Sequence, residues 1–188
     1  MVARQKGSKS QVKTGCIPAF SKPKSSPRHP LKNESAIMSF ILTAVNNYDE
    51  YGLAISALKE FEERIALNRW FIYEGTRNRK ALKEGDKILF YLSGKKLIPQ
   101  IAAKAEISKI RKPLSSETNA NLQSPVHSVL EFKNFERFDA PIDFKKILQY
   151  LSFAPSNMQK WGVVVFGGCR RISEQDYETI LSGLHKQA

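Results

Sequence analysis

From Met38 onward, apolar residues fall into short runs at strand spacing, interrupted by one long helical stripe and two shorter ones. Met38 to Val45 (MSFILTAV) predicts a first strand. From about Tyr48 to Leu67, Ala54, Ala57, Leu58, Phe61 and Ile65 recur at intervals of three and four, which predicts a helix with one packed face. Asn47 and Glu50 are placed to cap its start. Arg69 to Tyr73 and Lys87 to Leu92 predict two strands joined by a basic loop and a Lys83–Asp86 turn, where Gly85 supplies positive φ and Asp86 caps the turn backbone. In Lys87 to Leu92, Ile88, Phe90 and Leu92 face one way and Leu89 and Tyr91 the other, so both faces need cover, as in a small closed barrel with a helix outside.

After a turn at Ser93–Lys96, Ile101, Ala103, Ala105 and Ile107 alternate with Ala102, Lys104, Glu106 and Ser108 in a third long strand, whose small alanines leave room for the helix. Lys112 to Pro125 is a polar loop and Val126 to Phe138 a fourth long strand. Asp143 caps a short helix burying Phe144, Ile147, Leu148 and Leu151. A loop at Ser152–Gln159 leads to Lys160-Trp161-Gly162 and a strand at Val163–Phe166. Ser173 and Asp176 then form a capping box, with Ile172 stapled onto Tyr177, for a last helix burying Tyr177, Ile180, Leu181 and Leu184. No internal repeat is found.

Charge divides the chain differently. Its 188 residues carry a net charge of +12, and residues 1–37 hold eight Lys or Arg against the single acid Glu34. That stretch is rich in Ser, Lys, Pro and Gly without period, so it cannot offset its ordering entropy by burial and is expected to be a disordered basic tail before a domain at 38–188. Its cations add salt-dependent attraction to phosphates, or serve only solubility. No secretory h-region or membrane-length apolar run occurs. Cys16 and Cys169 make no disulfide framework, and a reducing, cytoplasmic setting is expected.

Catalytic signatures fail in turn. His29, His127 and His185 lie far apart with no second ligand at metal spacing, so no metal or cofactor is expected. Gly94-Lys95 is not a P-loop, because Lys96 follows it, and neither G-x-G-x-x-G nor G-x-S-x-G occurs. The domain's cations gather instead in connections: Arg77, Arg79, Lys80 and Lys83; Lys95 and Lys96; Lys109, Arg111 and Lys112; Arg170 and Arg171. Cationic strand-end loops around strands carrying Trp and Tyr suit a nucleic-acid reader, with charge on phosphates and rings against a base. On burial statistics Trp70 is as readily a core residue as a stacking one.

The series Ala-Val-Asn-Asn, long helix, Asn-Arg-Trp, basic loop, Lys-Glu-Gly-Asp-Lys-Ile-Leu-Phe-Tyr and Ile-Ala-Ala-Lys-Ala-Glu-Ile resembles PUA-like domains of the EVE and YTH type. Trp161-Gly162 and the Ile172-Ser173…Asp176-Tyr177…Ile180 pattern are similar to the ends of EVE chains, so the likeness spans nearly all of 38–184. The resemblance implies an α+β fold, a small mixed β-barrel with flanking helices, and a non-enzymatic reader of a modified, methylated base in DNA or RNA. By position it implies that Trp70 stacks on the extruded base, that Asn46 and Asn47 read its edge, and that Trp161 or Phe153 is a second wall. Arg77, Arg79, Lys80, Lys95, Lys96, Arg170 and Arg171 are then the phosphate contacts. No membrane, metal or catalytic residue is implied, and no protein partner is indicated. Two alternatives stay open: an RNA nuclease using Lys83, Tyr91 and Asp86, and a module binding structured RNA by shape and charge.

Overall fold

A computed structural model of the chain describes residues 36–48, 51–117 and 125–185. The expected tail, apart from its last two residues, and the 118–124 part of the polar loop lie outside them. The chain order is β1 (Ser39–Val45), β2 (Asn47–Tyr48), β3 (Ala54–Ile55), α1 (Ala57–Ala66), β4 (Trp70–Tyr73), β5 (Lys87–Gly94), β6 (Leu97–Arg111), β7 (Val126–Asp143), α2 (Phe144–Leu148), β8 (Cys169–Ile172) and α3 (Glu174–His185). Six strands form one curled sheet in the order β4-β7-β6-β5-β1-β8, with flanking helices, so the α+β fold expected from the sequence forms, its mixed sheet curling into a half-barrel. β1 runs parallel to β5 and antiparallel to β8, which brings the C-terminal ends of β1 and β5 side by side.

β5 shows why the sheet needs cover on both sides. Ile88, Phe90 and Leu92 enter one apolar cluster with Phe40, Phe61, Trp70 and Phe132, while Leu89 and Tyr91 enter a second with Phe144, Leu148, Tyr177 and Ile180. α1 closes the first cluster, and α2 and α3 close the second. Phe90 lies at the centre of the first, with rings of Phe61, Trp70 and Phe132 at 5.5, 5.2 and 5.1 Å.

The Lys83–Asp86 turn forms as expected, with Gly85 at φ 89°. The buried Asp86 carboxylate accepts from Lys83 N–H at 2.7 Å and from Met38 N–H at 3.0 Å, tying the entry of β5 to that of β1. The box at α3 also forms: Asp176 N–H donates to Ser173 Oγ at 3.0 Å and Ile172 is buried beside Tyr177. Asp143 accepts from Lys145 N–H at 3.0 Å, as its capping role required.

Three local expectations are corrected. The long helix does not begin near Tyr48: residues on either side of Gly52, which sits at φ 77°, pair as the β2–β3 hairpin, and α1 starts at Ala57 under a Ser56 cap whose side chain accepts from Lys59 N–H. Val163–Phe166 is not a strand, since Met158–Val165 is a 3₁₀ turn and the strand follows the positive-φ pair Gly167-Gly168. A register shift between Ile101 and Ala103 puts Ile101 in the second cluster, while Ala103, Ala105 and Ile107 stay in the first.

Where β4, β6 and β7 meet, Glu117 is buried against Arg111, which it grips through both guanidinium ends at 2.6 and 2.8 Å, and Leu114 N–H adds a bond at 2.8 Å. Chiefly the Arg111 hydrogen bonds hold the Glu117 carboxyl down to about 2. Because the folded state lowers this pKa, the contribution is full above the ordinary carboxylate range and is lost as pH falls toward about 2. Glu117→Gln is expected to cost about 2 kcal/mol at neutral pH and to flatten the acid limb of stability, read by urea melts between neutrality and acid. Phe90→Ala is expected to cost about 3–5 kcal/mol in the same melts.

Candidate nucleic-acid interface

β1 ends at Val45, and the next residue, Asn46, turns its side chain toward α1, where Asn46 Oδ1 accepts from Ala57 N–H at 3.0 Å. A side-chain carbonyl thus satisfies one of the amides that a helix leaves unpaired at its start. The contact requires the backbone of Gly94 next to it, because a Cβ at Gly94 would stand 2.3 Å from Asn46 Oδ1. Between these elements opens a cleft of about 380 Å³, lined by Asn46, Ser56, Ala57, Leu58, Lys95, Lys96 and Leu97. Its floor is aliphatic, its rim carries two lysines from the β5–β6 turn, and the N-terminal end of α1 adds positive potential.

Three of the residues picked from the sequence, Asn46, Lys95 and Lys96, therefore meet in one place. Asn47 does not join them: its side chain is exposed and accepts from Tyr48 N–H at 2.9 Å. The sequence reading did not assign Ser56, Leu58 and Leu97 to the site: Leu58 was read only as part of the packed stripe of the helix, and Leu97 was marked only by following the 95–96 turn.

Trp70 is corrected more sharply. Its ring is 2 % exposed, packed on Phe90 and covered by the Arg64 guanidinium at 4.8 Å from its centroid, so it fills core and does not face an open cavity. Arg64 is held there by Glu60 one turn earlier on α1 and by Tyr73 Oη at 3.3 Å. Trp161 and Phe153 are half-buried against the second cluster, on the other face of the sheet from Trp70. Two strand faces separate these rings, so they do not wall one pocket.

The remaining cations sort by partner. Arg79 is taken by Glu74 at 3.0 Å, and Glu74 also meets His127 Nδ1 at 3.0 Å; the His127 contact foremost holds the Glu74 carboxyl below its usual value. Lys80 and Arg171 are exposed. Arg77 lies over Phe166 at 5.6 Å and Arg170 over Phe153 at 4.2 Å. The trio suggested for a nuclease is dismantled: Tyr91 is buried against Phe144 at 5.0 Å, burial pushing its hydroxyl pKa up, and Asp86 is spent on the turn. No group of His, Cys, Asp and Glu suited to a metal ion occurs among the described residues.

A curled mixed sheet with helices on both faces is the architecture of a PUA-like domain. The family model for the EVE domain matches residues 63–183, and the chain belongs to that family. No curated protein matches its sequence. Among solved structures, human THYN1 in complex with 5-methylcytosine containing DNA aligns over 80 % of this chain and 99 % of that one, with a TM-score of 0.56 and 16 % identity. The DUF55 domain of human thymocyte nuclear protein 1 aligns over 78 % and 98 % with a TM-score of 0.53 and 15 % identity. The N-terminal domain of Staphylothermus marinus McrB aligns over 78 % and 95 %, at 0.50 and 8 % identity. At these identities the likeness is one of fold.

Gly94→Ala is expected to push Asn46 off Ala57 N–H and loosen the first turn of α1. Amide exchange at Ala57 should then speed up about tenfold while exchange in the Lys87–Tyr91 part of β5 keeps its wild-type rate.

Proposed function

We propose that this chain is a nucleic-acid-binding module that takes one extruded, methylated base into the Asn46 cleft and performs no chemistry on it. The observation that carries the reading is the convergence of Asn46, Lys95 and Lys96, from two separate connections, on one open cleft beside the start of α1. The lysines neutralise the flanking phosphates, Leu58 and Leu97 offer an aliphatic surface to the base, and Asn46 reads its edge. With Asn46 Oδ1 already accepting from Ala57, its Nδ2 hydrogens are the donors for a base acceptor. A methyl group buried on the aliphatic floor adds up to about 0.8 kcal/mol, a several-fold preference.

Membership of the EVE family supports the reading, as does the shared fold with THYN1, a protein crystallised with 5-methylcytosine containing DNA. Trp70 has no part in it. Without an aromatic stack in the cleft, charge and aliphatic contact carry the affinity, and a strong salt dependence follows.

Fluorescence anisotropy with oligonucleotides carrying methylated cytosine, hydroxymethylated cytosine, methylated adenine or no modification tests this. Wild type is expected to prefer one modified form several-fold. Lys95→Gln and Lys96→Gln should weaken every oligonucleotide alike and each lower the slope of log K against log salt by about one. Asn46→Asp keeps the acceptor for Ala57 but removes the donors, and should erase the preference. Equal affinity of wild type for modified and plain strands removes base reading; unchanged binding by the lysine variants removes the cleft.

A further inference from the structure

We infer that Tyr48, on the β2–β3 hairpin, is a stacking platform for the nucleotide next to the base held in the Asn46 cleft. The inference rests on the nucleic-acid reading above and adds to it a second contact on the bound strand, outside the cleft.

The hairpin grows out of the cleft wall. Asn46 and Ser56 both line the cleft, and the chain between them carries the ribbon, with Asn47 paired to Ile55 and Tyr48 to Ala54. Both feet are tied to the start of α1: Asn46 Oδ1 accepts from Ala57 N–H at 3.0 Å, and Ser56 Oγ accepts from Lys59 N–H at 3.2 Å. A two-stranded ribbon this short is marginal by itself, so these anchors fix where it stands.

The pleat decides which way Tyr48 faces. Residues directly opposite on an antiparallel pair share a face, and so do residues two apart on one strand. Tyr48 therefore shares a face with Ala54, with Asn46 two residues before it, and with Ser56, whose backbone is still extended. All four are exposed, while Ile55, on the opposite face, is half-buried. The ring thus stands on the same face as the two cleft residues at its foot. Its neighbour across the ribbon is an alanine, too small to cover it, and Tyr48 is 69 % exposed.

Distance selects the occupant. Two strand residues span about 7 Å, and successive nucleotides of a duplex strand lie about 3.4 Å apart along its axis, further when the strand is drawn out. From Asn46 to Tyr48 is therefore one or two nucleotide steps. Tyr48 is not part of the cleft lining, so its ring meets a neighbour of the extruded base and not that base itself. Lys95 and Lys96 on the cleft rim supply charge for the phosphates, and cations beside an uncovered ring suit a nucleic-acid strand better than an apolar protein surface. Stacking tolerates any base, so the platform strengthens binding without changing which modification the cleft prefers.

The test uses the full chain and labelled single strands with one modified base, read by fluorescence anisotropy. Tyr48→Ala is expected to weaken binding about five- to tenfold, with the salt slope and the ratio between modified and plain strands unchanged, and Tyr48→Phe to stay within about twofold of wild type. Removing the base on one side of the modified nucleotide, and then on the other, finds the stacked neighbour. One of the two abasic strands should cost wild type as much as Tyr48→Ala does, and cost Tyr48→Ala nothing more. Thermal melts and amide exchange at Ala57 accompany each variant and should match wild type, because the Tyr48 side chain is exposed. Wild-type affinity in Tyr48→Ala, or losses that simply add in the abasic cycle, overturns the platform; if Lys95→Gln still weakens binding, the cleft stands without it. Self-association of wild type that Tyr48→Ala abolishes in sedimentation, with strand affinity unchanged, overturns it too and assigns the hairpin to a protein contact. Equal affinity of wild type for modified and plain strands removes base reading alone, and a loss in Tyr48→Ala that Tyr48→Phe does not share still upholds the platform. A wild type that binds no strand overturns both.

Discussion

Ile88 to Leu92 offer no face that water can wet, and they lie on a strand hydrogen-bonded on both edges, to β1 and to β6. Burying five such side chains at about 1.5–3 kcal/mol each makes two-sided cover of β5 the constraint that the remaining architecture meets. α1 must lie on one face and α2 with α3 on the other. The buried Asp86 carboxylate sets the register of this arrangement, because one side chain binds the turn into β5 and the first amide before β1. Strand entries are thereby fixed together, and strand exits end together as well.

That shared exit is where the chemistry collects. At the C-terminal ends of β1 and β5 the backbone passes into Asn46, the Lys95–Lys96 turn and, through Thr43, the loop leading to β8. Two glycines make the geometry possible by close approach, Gly94 beneath Asn46 and Gly167 beneath Arg77. Neither lies in a recognisable motif, and both act by having no side chain. The two sides of the β1 end differ in character: an aliphatic cleft rimmed by Lys95 and Lys96 on one, and Arg77 and Arg170 over separate aromatic rings on the other.

Positive charge is abundant in the sequence, and the fold decides which of it is available. Arg64, Arg79 and Arg111 are consumed by carboxylates: Arg64 by Glu60 within α1, Arg79 by Glu74 within the loop after β4, and Arg111 by Glu117 and, across from β6 to β7, by Glu131. Lys95, Lys96, Arg77 and Arg170 form no ion pair among the described residues, and they surround the end of β1. A count of basic residues per loop does not separate these groups, because the separating quantity is the distance to a carboxylate in the folded chain.

Alternation in Lys87–Leu92, the Gly85-Asp86 turn and the Ser173–Asp176 box were all legible from the chain, because each depends on neighbours a few residues apart, and the EVE resemblance was legible from the order of such segments along it. Asn46, Lys95 and Lys96 were legible as polar and basic residues in connections, though not as members of one cleft. The sequence could not place Trp70: whether an indole is wall or filler depends on the rings packed around it, and Phe90, Phe132 and Arg64 come from three other elements. Nor could it show that Trp161 stands behind the sheet from Trp70, since the face a ring occupies follows from strand order and register shifts such as that at Ile101. Local chemistry set the elements and their caps. Only tertiary packing decided which rings were enclosed and which cations were left unpaired, because both are settled by contacts between residues far apart in the chain.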